Sequence, residues 1–573
     1  MKFMLGYLKE FRGRMTVGLF IKIIGTLVEL FIPLILTFIL REVVPSQSVG
    51  KILVWGGVMI ACAAAACVLN IVANRMAAHV SRDVSENVRR DLFAKILSLS
   101  ASQVDRFTVP SLESRITTDT YNIHSFVGVM QRMGVRAPIL LFGGIVLTLA
   151  MDSALALVMI ALLPFVLLAI FLISRNGVPL YTRVQKSTDA MIRVVREDVQ
   201  GIRVIKALSK NRYENERYDG VNKQLSGDEK YAGTVMGLSN PIMTFLMNMG
   251  ITAVVALAAV RVSKSTSDAE TVIAFIQYFT LISNAMLALS RIFVMFTKCA
   301  ASTKRIAEVL LTEGEMAVIN DGREMDRSSA HIEFDNVSFS YNGKHNHLEN
   351  VSFSLQKGES LGIIGATGSG KSTIVKLLLR LYDTSSGSVK IYGKDIRTID
   401  NFTLRSMLGV ALQNDFLYAE TIEENIKFGR EISHEDVVRA AKIAQAHDFI
   451  SSFPEGYERV LSQKGTNISG GQKQRILIAR AIAASPEILI LDDSSSALDY
   501  KTDASLRLAL AESLGGTTVI TVAQRVSSVK NCDLIMVIEN GSPIGLGTHE
   551  ELLSSCPEYK EISDSQMGGA FVE

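Results

Sequence analysis

Six mostly apolar stretches occupy the first 300 positions, at roughly 16–40, 52–78, 135–151, 153–174, 232–262 and 270–297. A hydrocarbon core needs about 20 apolar residues per helix, so the pattern predicts six membrane spans. The connections alternate in character. Those near 41–51, at 151–154 and near 263–269 are short, whereas 79–134 and 175–231 are long and carry Arg82, Arg89, Arg90, Lys95, Arg183, Lys186, Arg203, Lys206 and Arg212. Basic loops stay on the cytoplasmic side, and an even number of spans sends the carboxyl-terminal half there too. Helical periodicity persists through both long segments, so the spans are expected to continue as helices beyond the bilayer. Within them "FTVPSLESRITTDT" (107–120) predicts a break at Pro110 and a short new helix from Ser111, and "SKNRYENERYD" (209–219) predicts a second turn. Short helices at 111–119 and 211–219 would suit the docking of a soluble domain.

The polar positions inside the spans refine this picture. Lys22 lies near a cytoplasmic end and is expected to snorkel to the interface. Glu29 is deeper, where a carboxylate needs a partner or a function. Asn240, Asn248, Gln277 and Asn284 suit either a cavity lining or hydrogen bonds between helices. After position 301 the pattern changes to a polar linker, 301–330. From His331 it alternates strands, Gly-rich turns and helices, as an α/β domain does over 331–573.

Composition agrees with a chain partly in lipid: 573 residues are 48% hydrophobic and 20% charged, with mean hydropathy +0.27. A net charge of +2 without a basic face argues against nucleic acid as a partner. Five cysteines, odd in number and without metal-ligand spacing, indicate neither a disulfide framework nor a zinc site. The first apolar run, behind "MKFMLGYLKEFRGRM", is too long for the core of a cleavable signal.

The chemistry lies in the second half. "GATGSGKST" comprises Gly365, Ala366, Thr367, Gly368, Ser369, Gly370, Lys371, Ser372 and Thr373, between strand-like "SLGII" and helical "IVKLLLRLY". This is a phosphate loop in its strand–loop–helix context. Its backbone N–H groups and the helix N-terminus face phosphate oxygens, Lys371 reaches the β and γ phosphates, and the Ser372 hydroxyl ligates Mg²⁺. The buried run "ILIL" delivers Asp492 and Asp493 to a strand end, where Asp492 is placed to hold that Mg²⁺.

Beyond the phosphate loop, "NISGGQKQR" (467–475) resembles the signature motif of ABC transporters, and the whole chain resembles an exporter-type half-transporter. The resemblance implies a six-helix membrane domain over 1–300 and a P-loop ABC nucleotide-binding domain over 331–573. It implies ATP and Mg²⁺ as ligands and a multi-pass place in the cytoplasmic membrane, in contact with lipid. It further implies that Tyr341 stacks on adenine, that Gln413 touches Mg²⁺ and senses the membrane domain, and that "SALD" (496–499) crosses a dimer interface. Ser469, Gly470, Gly471 and Gln472 are then the loop that closes over ATP held by a second half-transporter.

Two departures from the family pattern bear on catalysis. Asp493 stands where a glutamate polarises the attacking water, and a displacement of about 1 Å can cost on the order of a hundredfold in rate. Gln524 in "ITVAQRVSS" stands where a histidine contacts the γ-phosphate, and an amide takes up no charge near neutral pH. Ile468 for leucine conserves volume, and Gln463 replaces an acid ahead of the signature. With the rest intact, the pattern resembles the degenerate-site subunit of heterodimeric bacterial multidrug exporters. The expected function is ATP-driven export of small hydrophobic or amphipathic compounds, beside a different chain bearing Glu and His at the two altered positions. Methionines 130, 133, 243, 247 and 286 and Phe293, in or near spans with few charges, favour such substrates. The rivals are a homodimeric exporter or lipid flippase with slow hydrolysis, and an ATP-gated channel or regulator.

Overall fold

The computed structural model describes residues 2–264, 269–319, 321–413, 415–494 and 496–567, with the side chain of Asn240 outside the described set. Two compact units emerge, one of Met1–Leu97 and Thr108–Thr312 and the other of Ser98–Phe107 and Glu313–Glu573.

The first unit is helical. After α1 (Lys2–Lys9) come α2 (Arg12–Val43) and α3 (Val49–Leu97), then α5 (Val109–Met151), α6 (Ser153–Ala207), α7 (Asn211–Arg261) and α8 (Glu270–Leu310). Between α3 and α5 lies α4 (Ala101–Phe107), a short helix that belongs to the second unit. Among the described residues six helices are thus long and apolar enough to cross a membrane, as the pattern predicts. At a rise of about 1.5 Å per residue, the 49 residues of α3 and 55 of α6 far exceed a hydrocarbon core of about 30 Å. Only Asp152 separates α5 from α6, and its carboxylate caps α6 by accepting from Ala154 N and Leu155 N at 3.0 and 3.2 Å.

The hairpin breaks fall elsewhere than expected. Thr108, at φ 64°, ends α4, and Pro110 sits in the first turn of α5, where its missing N–H leaves no helical bond unmade. A short helix lies at 101–107, while 111–119 falls in a helix that restarts at Val109, turns π-helical over Arg115–Asp119 and runs on to Met151. In the second hairpin Ser209 takes φ 52°, and 211–219 is the start of a long helix, not a short one. Residues 301–310, placed in the linker by composition, are the last turns of α8.

Close approach and polar pairs hold the helices. A Cβ added at Gly143 would stand 2.6 Å from Leu30 Cδ2, and one at Gly144 2.9 Å from Ile282 Cγ1. Asp119, 1% exposed, accepts from Ser302 Oγ at 2.8 Å and from the Arg305 guanidinium. Glu29 pairs with Arg136, at 2.6 Å. Lys22 does not snorkel: it is 4% exposed, and its ammonium donates to Asn70 Oδ1 at 2.7 Å and Asn74 Oδ1 at 3.0 Å, two amide oxygens that replace water. Of the six large apolar residues, Met243 and Met286 are core, Met247 is half-buried against them, and Met130, Met133 and Phe293 are exposed.

The second unit is α/β. One sheet runs β2 (Leu348–Leu355), β1 (Ile332–Phe339), β4 (Ser386–Ile391), β5 (Lys394–Asp395), all antiparallel. The larger sheet has the order β10 (Ser542–Gly547), β9 (Leu534–Glu539), β3 (Ser360–Ile364), β8 (Thr518–Ala523), β7 (Ile488–Asp492), β6 (Leu408–Ala411). Its strands β9, β3, β8, β7 and β6 are parallel, and β7 is buried at every position, as an apolar run flanked on both faces should be. Two helices matter for the site, α9 (Lys371–Leu378) after β3 and α10 (Gly470–Ile482) before β7.

Candidate functional site

Parallel strands point their carboxyl ends the same way, and the residues just past those ends share one crevice. Ile364 pairs with Ala523, Asp492 with Val522 and Ala411 with Leu491. Four neighbouring strands thereby deliver Gly365, Gln524, Asp493 and Gln413 to one place. The crevice is a cavity of about 390 Å³ lined by Thr367, Gly368, Gly370 to Thr373, Gln413, Asp492, Asp493 and Gln524.

The loop is shaped for backbone to face the cavity. Gly370 caps α9 at φ 106°, and a Cβ there would stand 2.8 Å from Leu348 Cδ2 and 2.9 Å from His347 O. Lys371 Nζ donates to Gly365 O at 2.8 Å and Ala366 O at 2.7 Å, which holds the ammonium over the loop. Burial pushes its pKa down, and Asp493 and Asp492 pull it back up. The Ser372 hydroxyl donates to Asp492 Oδ1 at 3.1 Å. Burial raises the Asp492 carboxyl, the Ser372 hydrogen bond opposes that, and the neighbouring Asp493 charge adds to it.

Asp493 is the hub of the site. It is 8% exposed, at φ 49°, and its Oδ2 accepts from Gln413 Nε2 and from Gln524 Nε2, each at 2.9 Å. The two residues singled out as departures from a family pattern are thus in direct contact.

The residues fit a phosphate with Mg²⁺. Ser369 Oγ is buried in the loop without a hydrogen-bond partner among the described residues. Ser372, Asp492 and the free Gln413 Oε1 form an all-oxygen donor set, suited to a hard cation that takes its other ligands from phosphate and water. Among the described residues no cluster of three or more His, Cys, Asp or Glu forms an all-protein metal site.

Tyr341 stands beside the cavity, its hydroxyl 3.3 Å from Thr373 Oγ1 and its ring edge-on to Tyr382 at 5.1 Å and to His347 at 4.9 Å. Gly365, Ala366 and Ser369 belong to the loop but do not line the cavity. Ser469, Gly470, Gly471 and Gln472 lie outside it. Ser469 caps α10 in a capping box, with Gln472 N donating to its Oγ at 3.3 Å and its own N donating to Gln472 Oε1 at 2.9 Å, and both Ser469 and Gly470 are exposed. Sequence reasoning missed Asn346, His347, Asn540 and Gly541, which also line the cavity. They come from loops before β2 and β10 and carry no motif.

Comparison with known proteins agrees with this layout. Residues 15–286 match the model of the ABC transporter transmembrane region, and residues 348–496 that of the ABC transporter domain. The uncharacterized ABC transporter ATP-binding protein YfiB of Bacillus subtilis is 36% identical over 98% of both chains. YknU of the same organism, also an uncharacterized ABC transporter ATP-binding protein, is 34% identical over 84% of this chain and 82% of its own. Among solved structures, a bacterial Atm1-family ABC exporter with ATP bound has the same fold, with TM-score 0.82 and 22% identity over 98% of this chain and 99% of its own.

Proposed function

The chain belongs to the ABC transporter family, and on that premise we propose that it is one half of an ATP-driven exporter that contributes a degenerate, slowly hydrolysing site beside a different half-transporter. It is a multi-pass membrane protein with its nucleotide-binding domain in the cytoplasm. Adenine stacks on Tyr341, and the loop Gly365–Thr373 with Lys371 holds the phosphates. Ser372, Gln413 and Asp492 hold Mg²⁺, which neutralises phosphate charge. Of the loop that closes over the partner's ATP, Ser469 and Gly470 are exposed and Gly471 and Gln472 are half-buried.

The observation that carries the reading is the pair of amides on Asp493 Oδ2. A carboxylate oxygen has two lone-pair sites, and a general base needs one of them for the proton of the attacking water. Both sites on this oxygen already accept hydrogen bonds, which leaves only Oδ1 for that proton, and Gln524 is an amide that takes up no charge near neutral pH. ATP binding still closes the nucleotide domains, and turnover at the partner's own loop, under this chain's Ser469, resets them.

The test is steady-state ATPase of the assembled transporter. Asp493→Ala changes it by no more than about twofold, whereas Ser469→Ala lowers it by about tenfold or more. A large loss from Asp493→Ala removes the degenerate-site assignment. Robust ATPase and uptake into inverted vesicles from this chain alone would favour the homodimer instead.

A further inference from the structure

The membrane unit holds a cavity of about 250 Å³ between α5 and α8. Arg136 and Arg291 are among its lining residues, as are Leu140, Leu281, Asn284 and Ala285. Leu281 and Arg291 are ten residues apart on α8, about 15 Å along the axis. The cavity therefore has an apolar end and a cationic end.

The charges do not balance. Glu29 holds the Arg136 guanidinium through two hydrogen bonds, at 2.6 and 3.2 Å, so that pair is neutral. Among the described residues no carboxylate pairs with Arg291. Close by, Lys22 is held by the neutral amides of Asn70 and Asn74, and Arg132 Nε donates to the Gly128 carbonyl at 3.1 Å. Four cations thus stand against one carboxylate. An arginine within a span faces a partner or a polar pathway, and a guanidinium fork matches carboxylate or phosphate.

We propose that this cavity binds an amphipathic anion, its phosphate or carboxylate head on Arg291 and Arg136, its apolar body against Leu140, Leu281 and Ala285. This narrows the substrate class and rests on the exporter reading above.

The experiment measures binding to the assembled transporter in phosphatidylcholine nanodiscs, by titration calorimetry with dodecyl phosphate and with dodecyltrimethylammonium. The wild type binds the phosphate about tenfold or more tightly than the ammonium, as one charge-assisted contact allows. Arg291→Gln narrows that ratio by about tenfold, Arg291→Glu inverts it, and Arg291→Lys, which retains the charge, keeps the phosphate preferred. Equal affinities in the wild type, or a ratio unmoved by both Arg291→Gln and Arg291→Glu, overturn the proposal. Competition by phosphatidylglycerol added to the discs identifies the anion as a lipid headgroup, and its absence identifies a soluble amphiphile. Failure of ATP-dependent uptake alongside an intact anion preference overturns the exporter reading alone.

Discussion

Gln524 donates its side-chain amide to Asp493 Oδ2 at 2.9 Å, onto an oxygen that Gln413 also holds at 2.9 Å. A substitution at one of these positions is therefore felt at the other, and additivity fails for groups in one hydrogen-bond network.

The first prediction follows from that coupling. Asp493→Glu alone lengthens the carboxylate but leaves two amides competing for it, so ATPase of the assembled transporter rises by less than about threefold. Asp493→Glu with Gln524→His supplies a longer acid and a titrating partner, and the rise is on the order of tenfold or more, beyond the product of the single changes. Single-turnover hydrolysis at the altered site, with the partner's site inactivated, is the measurement. Additive single effects would remove the coupling.

Asp492 gives a prediction in pH. Burial holds its carboxyl above the ordinary carboxylate range, so as pH falls it takes up a proton earlier than an exposed aspartate would. A protonated carboxyl is a poor ligand for a hard cation. Mg²⁺-dependent retention of ATP should weaken in mildly acid buffer, above the pH at which an exposed carboxylate titrates. Asp492→Asn should lower retention at neutral pH and abolish the step. Filter binding of labelled ATP across the pH series checks both.

Much of this site was legible because its residues stand at strand ends. The run "ILIL" before Asp492 and "SLGII" before Gly365 mark buried strands, and parallel strands bring their termini together whatever their separation in sequence. The six spans were legible because length and apolarity alone define them. Pro110 misled because it is easily taken for a breaker, while the actual break is the positive φ of Thr108, which nothing in the local composition marks. Lys22 misled because its amide partners lie 48 and 52 residues away. Arg136 and Arg291 vanish in any window average over an apolar span, yet the packing of α5 on α8 puts them on one cavity.

Tyr382 links the nucleotide site to α4. Its ring stands edge-on to Tyr341, and its hydroxyl donates to Asp105 Oδ2 at 2.5 Å. Tyr382→Phe keeps the ring and removes the donor. ATP affinity should stay within about twofold, while ATP-driven uptake in vesicles falls roughly threefold to tenfold, the effect of one hydrogen bond to a charged group. Unchanged uptake would show that this bond plays no part in coupling.

Glu29 and Arg136 form the last test, a double-mutant cycle on the stability of the assembled transporter in detergent. Glu29→Gln leaves the Arg136 guanidinium unbalanced at membrane depth, and the loss should be on the order of 2 kcal/mol. Arg136→Gln leaves Glu29 unbalanced and should lose a similar amount. With both changed, two amides can bond to each other and neither charge remains. The double variant should then be no less stable than either single one, with a coupling energy of about 2 kcal/mol or more. Strict additivity would mean that the 2.6 Å contact contributes nothing to holding α2 against α5.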